Sequence, residues 1–256
     1  MKLHFKETGE GPTLIILHGL FGCGDNWATL GKAFAGSGRH VVMIDQRNHG
    51  RSPHDPAISY PLMADDVQEL IVRNNWKRPA LLGHSMGGKT AMFHARLYPD
   101  TASALIVADI APRSYPPHHG NVFSAIHAVE LAAIASRKEA EAVLHQRLKD
   151  TATEQFLLKS LYWNDVGRLD WRFNLTALEE NIEAIGAPLP EGPVIPTPTL
   201  FICGENSGYV SFEDEEAIRL RFADVTIRKV PGAGHWVHAD APEVFRDIVL
   251  EFLERQ

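Results

Sequence analysis

Ser85 stands in the five residues Gly83-His84-Ser85-Met86-Gly87, a G-x-S-x-G segment. A serine hydroxyl is a weak nucleophile alone. It needs a base to take its proton and donors to hold the charge its attack creates. The spacing supplies a setting for both, because "ALL" (80–82) has the pattern of a strand and Met86–Tyr98 that of a helix. A serine between them falls on a sharp turn with its Oγ exposed above the sheet, and flanking glycines remove Cβ atoms that would clash there. The helix start at Met86 aims free backbone N–H groups and a positive dipole end at the same place. A glycine-rich turn without chemistry has the same composition. What favours a nucleophile is the strand before it and the helix after it.

His235 is the candidate base. It lies in "VPGAGHWVHADAPEVF", a glycine-loosened loop after the last strand pattern and before the final helix pattern. Serine first and histidine last fits one of the three known chain orders of a Ser-His-acid triad and excludes the other two. His18-Gly19, directly after the run "TLIIL" (13–17), places a backbone N–H opposite the serine's turn. We expect the N–H of Met86 and that of Leu20, with Phe21 the alternative, to form the oxyanion hole. The chain has 13 histidines, and other roles are assigned to most of them. His84 beside the serine is structural, His18 braces the oxyanion loop, and His118 and His119 sit exposed. His235 and His238 have a spacing that could suggest a metal pair, but no third ligand motif accompanies them. No metal and no cofactor is expected.

These residues must be positioned by a scaffold. Apolar runs recur at 13–17, 41–44, 80–82, 104–108, 199–202 and 225–230, and unbroken runs of this kind suggest strands buried on both faces. Helical patterns fall between them, near Trp27–Ala35, Leu62–Asn75, Met86–Tyr98, Glu213–Phe222 and Pro242–Arg255. The alternation predicts an α/β fold with a doubly wound, mostly parallel sheet. It breaks once. From Pro112 to about Thr197 only helical patterns occur, between the turn-rich edges "APRSYPP" and "PLPEGPVIPTPT". We expect residues 1–111 and 198–256 to form the core and 112–197 a helical cap inserted between two sheet strands.

With these motifs in order, the sequence resembles the α/β-hydrolase fold superfamily. "HGLFG", "DQRNHGRSP", "GHSMGGK", "DIAP" and "GAGHWVHA", together with "QFLLKSL" and "WRFN" inside the cap, are similar to the YbfF-type bacterial esterases over nearly the whole chain. Superfamily members most often carry the triad acid after the strand that follows the cap, in a G-x-x-D pattern. Here that segment is "CGENSGYV", and Ser207 stands where the acid would be. Asp109 offers a replacement, because it closes the strand after the nucleophile helix, on the edge of the sheet where ligands bind in open α/β folds. The shared "DIAP" implies the same role for it. Glu205 is the reserve, and a plain turn residue ahead of Pro112 is the competing reading of Asp109. Asp45 and Arg47 are expected to tie their loop together as an ion pair without chemistry.

The implied reaction is transfer of an acyl group from an ester or thioester, possible acyl-CoAs included, to water through an acyl-enzyme on Ser85. The same scaffold also hosts C–C bond hydrolases and cofactor-free haloperoxidase-like enzymes, and a slow hydrolase-fold receptor is a further class. Phe21, Phe123, Phe156, Tyr162, Trp163, Trp171 and Phe173 are candidates to line an apolar acyl pocket, and Trp236, adjacent to His235, has the best positional claim. Between 112 and 197 acidic residues outnumber basic ones, so nothing there favours a polyphosphate handle.

Composition bounds the rest. A chain of 256 residues with 45% hydrophobic and 22% charged residues can bury a large core. A net charge of −7 argues against nucleic acid as a partner. Two distant cysteines imply no disulfide framework. The N-terminal stretch lacks a signal-peptide pattern and its apolar run is too short to span a membrane, so a cytoplasmic protein acting on a small molecule is expected. The sequence leaves the oligomeric state open.

Overall fold

The computed structural model describes all residues from Met1 to Gln256. Seven strands build the main sheet: β1 (Phe5–Thr8), β2 (Thr13–Leu17), β3 (His40–Ile44), β4 (Ala80–His84), β5 (Ala104–Ala108), then β8 (Thr199–Gly204) and β9 (Val225–Val230). Strands β6 (Leu161–Trp163) and β7 (Leu169–Trp171) form a separate two-stranded sheet. The main sheet has the order β1-β3-β2-β4-β5-β8-β9, with β1 antiparallel and every other pairing parallel.

Side-chain alternation along these strands explains why the apolar runs are continuous. Ile15 and Leu17 join one core cluster while Leu14 and Ile16 join another, and Val42 and Ile44 face away from Val41 and Met43 in the same way. Both faces of the sheet are therefore covered, one by the helices Tyr60–Arg73 and Met86–Leu97, the other by Ala28–Gly36 and Pro242–Leu253. A strand buried on both faces cannot show a polar alternation.

Between β5 and β8 the chain forms five helices, Gly120–Ala128, Arg137–Arg147, Thr151–Lys159, Leu175–Glu180 and Ile182–Ile185, and the β6–β7 hairpin. The hairpin corrects the expectation of an all-helical segment, since strands of three residues are too short to display a period. Lys89, on the helix after β4, ties both ends of this segment to the core. Its buried ammonium donates to the carbonyls of Arg113 and Ala187, 2.5 Å away in each case. Burial, with Arg113 and Arg221 nearby, lowers its pKa to about 7.

Candidate active site

Every residue singled out for chemistry follows the C-terminal end of a parallel strand. Ser85 follows β4, Asp109 follows β5, and His235 lies beyond β9. The register fixes the first two side by side. His84 pairs with Ala108, the Ser85 N–H donates to the Ala108 carbonyl at 3.0 Å, and the Asp109 N–H donates to Ile202 at 2.9 Å.

Ser85 caps the Met86–Leu97 helix with φ 52° and ψ −116°. Asp109 and Phe21 also have positive φ, 51° and 63°. Such backbone is costly for residues with a Cβ and persists only where surrounding structure enforces it. The enforcement is visible at the turn. A Cβ on Gly83 would run into the Gly87 carbonyl, and one on Gly87 into the Leu17 carbonyl, so the glycines let the elbow close against β2.

Asp109 is fully buried, and its carboxylate is satisfied by three groups. Oδ1 accepts the Gly204 N–H at 3.0 Å, while Oδ2 lies 2.7 Å from His235 Nδ1 and accepts the Ser207 hydroxyl. This arrangement presents the Nδ1–H tautomer of His235 and leaves Nε2 to the cavity that His235 and Ser85 line together. Glu205 is exposed and accepts the Gly232 N–H at 2.9 Å; it does not reach His235.

The loop after β2, which carries Leu20 and Phe21, is braced by two buried neutral imidazoles. His18 Nδ1 donates to the Gly19 carbonyl at 2.8 Å and Nε2 accepts the Gln46 N–H at 3.0 Å. His49 Nδ1 donates to the Arg47 carbonyl and Nε2 accepts the Phe21 N–H at 3.2 Å. Burial lowers His18 to about 4 and, with His18 adding repulsion, His49 to about 3. The Phe21 N–H is thereby occupied. The N–H groups of Leu20 and Met86 have no protein acceptor and remain available to a ligand.

His84 donates from Nε2 to the backbone carbonyl of His235 at 2.9 Å, which makes it a brace for the histidine loop. Asp45 and Arg47 do not pair. Asp45 accepts the N–H groups of Gly24 and Arg51, whereas Arg47 bonds Asp66 at 2.7 Å, because the turn after β3 sends the two side chains to different neighbours. His118 is exposed as expected, but His119 is half-buried and both line the cavity.

Of the aromatic candidates, Phe21, Phe156 and Trp236 line the cavity, of about 350 Å³. Trp163 and Phe173 do not, which corrects the expectation. Trp163 points outward from the cap hairpin at 50% exposure, and Phe173 is buried behind Phe21, ring centroids 5.1 Å apart. Beside Phe21 and Trp236 stand Phe156, one of the candidate rings, and Tyr209, which the sequence does not single out. Phe156 packs on Trp236 at 4.2 Å, and Tyr209 stacks on His235 at 3.8 Å with 17° between the planes. The Tyr209 hydroxyl lies 2.6 Å from His118 Nε2, linking the cap edge to the histidine. Nothing in the sequence marks Tyr209, since one loop tyrosine carries no motif.

Residues 12–134 match the family described as alpha/beta hydrolase fold. The chain is 34% identical to Esterase YbfF of Escherichia coli, over 99% of each chain. It is 41% identical to the sn-1-specific diacylglycerol lipase ABHD11 of Mus musculus, over 94% of this chain and 81% of that one. Among solved structures, a marine microorganism esterase superposes with a TM-score of 0.94 at 39% identity, covering 98% of this chain and 99% of that one.

Proposed function

The chain belongs to the α/β-hydrolase family and is an ester hydrolase, and from that premise we propose that it works through Ser85, His235 and Asp109. The observation that carries the assignment is the 2.7 Å contact between His235 Nδ1 and a fully buried Asp109, with Ser85 on its strained turn beside the same cavity.

His235 Nε2 takes the Ser85 proton as Oγ attacks the ester carbonyl. The resulting oxyanion accepts the N–H groups of Met86 and Leu20. Asp109 holds the imidazole in the required tautomer and stabilises the imidazolium while it exists. When the C–O bond breaks, the same proton goes to the leaving oxygen. Water then attacks the acyl-enzyme, giving its proton to His235, and the acid departs as Ser85 is restored. The substrate class is a small-molecule ester. Oxygen esters are favoured over CoA thioesters because no lysine or arginine lines the cavity to meet a polyphosphate.

The segment 112–197 acts as a cap on a core of 1–111 and 198–256, carrying Phe156 and other cavity walls. No helix is long and apolar enough to cross a membrane. Two free, buried cysteines support residence in the cytoplasm, and the net charge of −7 supports the absence of a nucleic-acid partner.

Ser85→Ala tests the assignment. It should lower ester turnover by a factor on the order of 10⁴ to 10⁶ and keep the fold, and a fluorophosphonate should label only the native protein, at Ser85. Turnover near the native rate in that variant refutes the nucleophile.

A further inference from the structure

The space above Ser85 is divided into two unequal lobes. Both touch Ser85 and Leu20. The larger, of about 350 Å³, includes His235, Trp236 and Phe156, with Thr153 and Asp150 among its polar walls. The smaller, of about 30 Å³, includes Met86, Ile110, Tyr60, Ile182 and Ile185, and does not include His235. That volume admits about two water-sized groups.

We infer that the small lobe holds the acyl group and the large lobe the alcohol, so that the preferred substrates are esters of a compact acid with a bulky alcohol. The inference rests on the proposed roles of Ser85 and His235. Chemistry sets the orientation. The leaving oxygen must receive its proton from His235, so the alcohol has to occupy the lobe that His235 lines. The acyl carbon stays bonded to Ser85, and its chain has to run the other way, past Met86, into the lobe that lacks the histidine.

The small lobe is also held to its size. The Tyr60 hydroxyl donates to the Ile185 carbonyl at 2.5 Å, and the Tyr115 N–H donates to the Gly186 carbonyl at 2.8 Å. The first bond fastens the cap's last turn to the core and the second ties that turn to the cap's leading edge, so a longer chain must strain the wall to enter. The large lobe ends on the Phe156–Trp236 pair, and beyond it lies a cleft of about 280 Å³ that both rings also line. Growth of the alcohol meets open space behind a half-buried ring pair, and growth of the acyl chain meets a tethered wall.

Two substrate series separate the lobes. The p-nitrophenyl esters from acetate to octanoate vary the acyl group alone. The phenyl, 2-naphthyl and 4-biphenylyl acetates, whose leaving groups are of similar acidity, vary the alcohol alone. We expect kcat/KM to fall roughly 10- to 100-fold across the first series, as overpacking a fixed site does. Across the second it should stay within about threefold. Ile182→Ala should raise octanoate relative to acetate by about tenfold without changing the order of the acetates, and Phe156→Ala should alter the acetate series alone. A flat acyl series with a steep acetate series overturns the lobe assignment, as does exchange of the two variants' effects. If Ser85→Ala hydrolysed these esters like the native protein, the triad itself would fail, a result distinct from a reversed preference.

Discussion

The Ser207 hydroxyl donates to Asp109 Oδ2, the same oxygen that lies 2.7 Å from His235 Nδ1. Ser207, the residue in the loop after β8 that a G-x-x-D pattern would make an acid, thus supports the carboxylate proposed as the triad acid, which comes from the neighbouring strand. Ser207 also accepts the Tyr209 N–H at 3.2 Å, so the loop after β8 holds both the carboxylate and the ring stacked on His235.

Asp109→Asn should lower turnover by about 10⁴ near neutral pH, because an amide at this place favours the wrong imidazole tautomer. Glu205→Gln should cost little, since the exposed Glu205 meets only Gly232. Both variants are compared on one short-chain ester. A crippled Glu205→Gln beside an active Asp109→Asn would remove Asp109 from the triad.

The shared oxygen suggests an exchange. Asp109→Ser alone should lose activity to a similar degree, and adding Ser207→Asp should restore at least about tenfold, because the carboxylate returns beside Nδ1 from the other strand. kcat of the single and double variants decides it. No recovery in a folded double variant would mean that only the β5 position can orient His235.

Acid should weaken the fold through the oxyanion loop. His18 and His49 are held by burial at about 4 and about 3, below the ordinary 6.5. Below pH 6.5 the unfolded chain takes up protons that the folded chain refuses, so this contribution to stability is complete above 6.5 and declines as pH falls toward 4. At pH 5 each histidine costs about 2 kcal/mol. Urea midpoints at pH 7.5 and 5 measure the loss, and His49→Gln should make the decline shallower. Equal midpoints at both pH values would contradict the neutral, buried state of these rings.

Much of this architecture is legible before folding. The run "TLIIL" coincides with β2 and "ALIVA" with β5, since buried parallel strands leave unbroken apolar stretches. β1 escapes because its residues Phe5–Thr8 form a partly exposed edge with charged side chains. The proposed triad residues Ser85, Asp109 and His235 stand out in the sequence because each follows a strand and has its own motif. The cavity walls are legible only in part, at Phe21, Phe156 and Trp236. Aromatic density in the cap says nothing about direction, so Trp163 could turn to solvent and Phe173 into the core while Phe156 and Tyr209 reached the site.

The placement of Asp109 has a consequence for how such an enzyme diversifies. In the proposed triad, nucleophile and acid both precede the cap in the chain, held in register by β4 and β5. Only His235 follows it. An insertion, deletion or wholesale replacement between Pro112 and Thr197 would therefore redraw the walls around the substrate without passing through the unit that joins Ser85 to Asp109. New selectivity can be acquired by changing one contiguous stretch of the gene, and recombination across the two ends that Lys89 fastens is the natural place for it to occur.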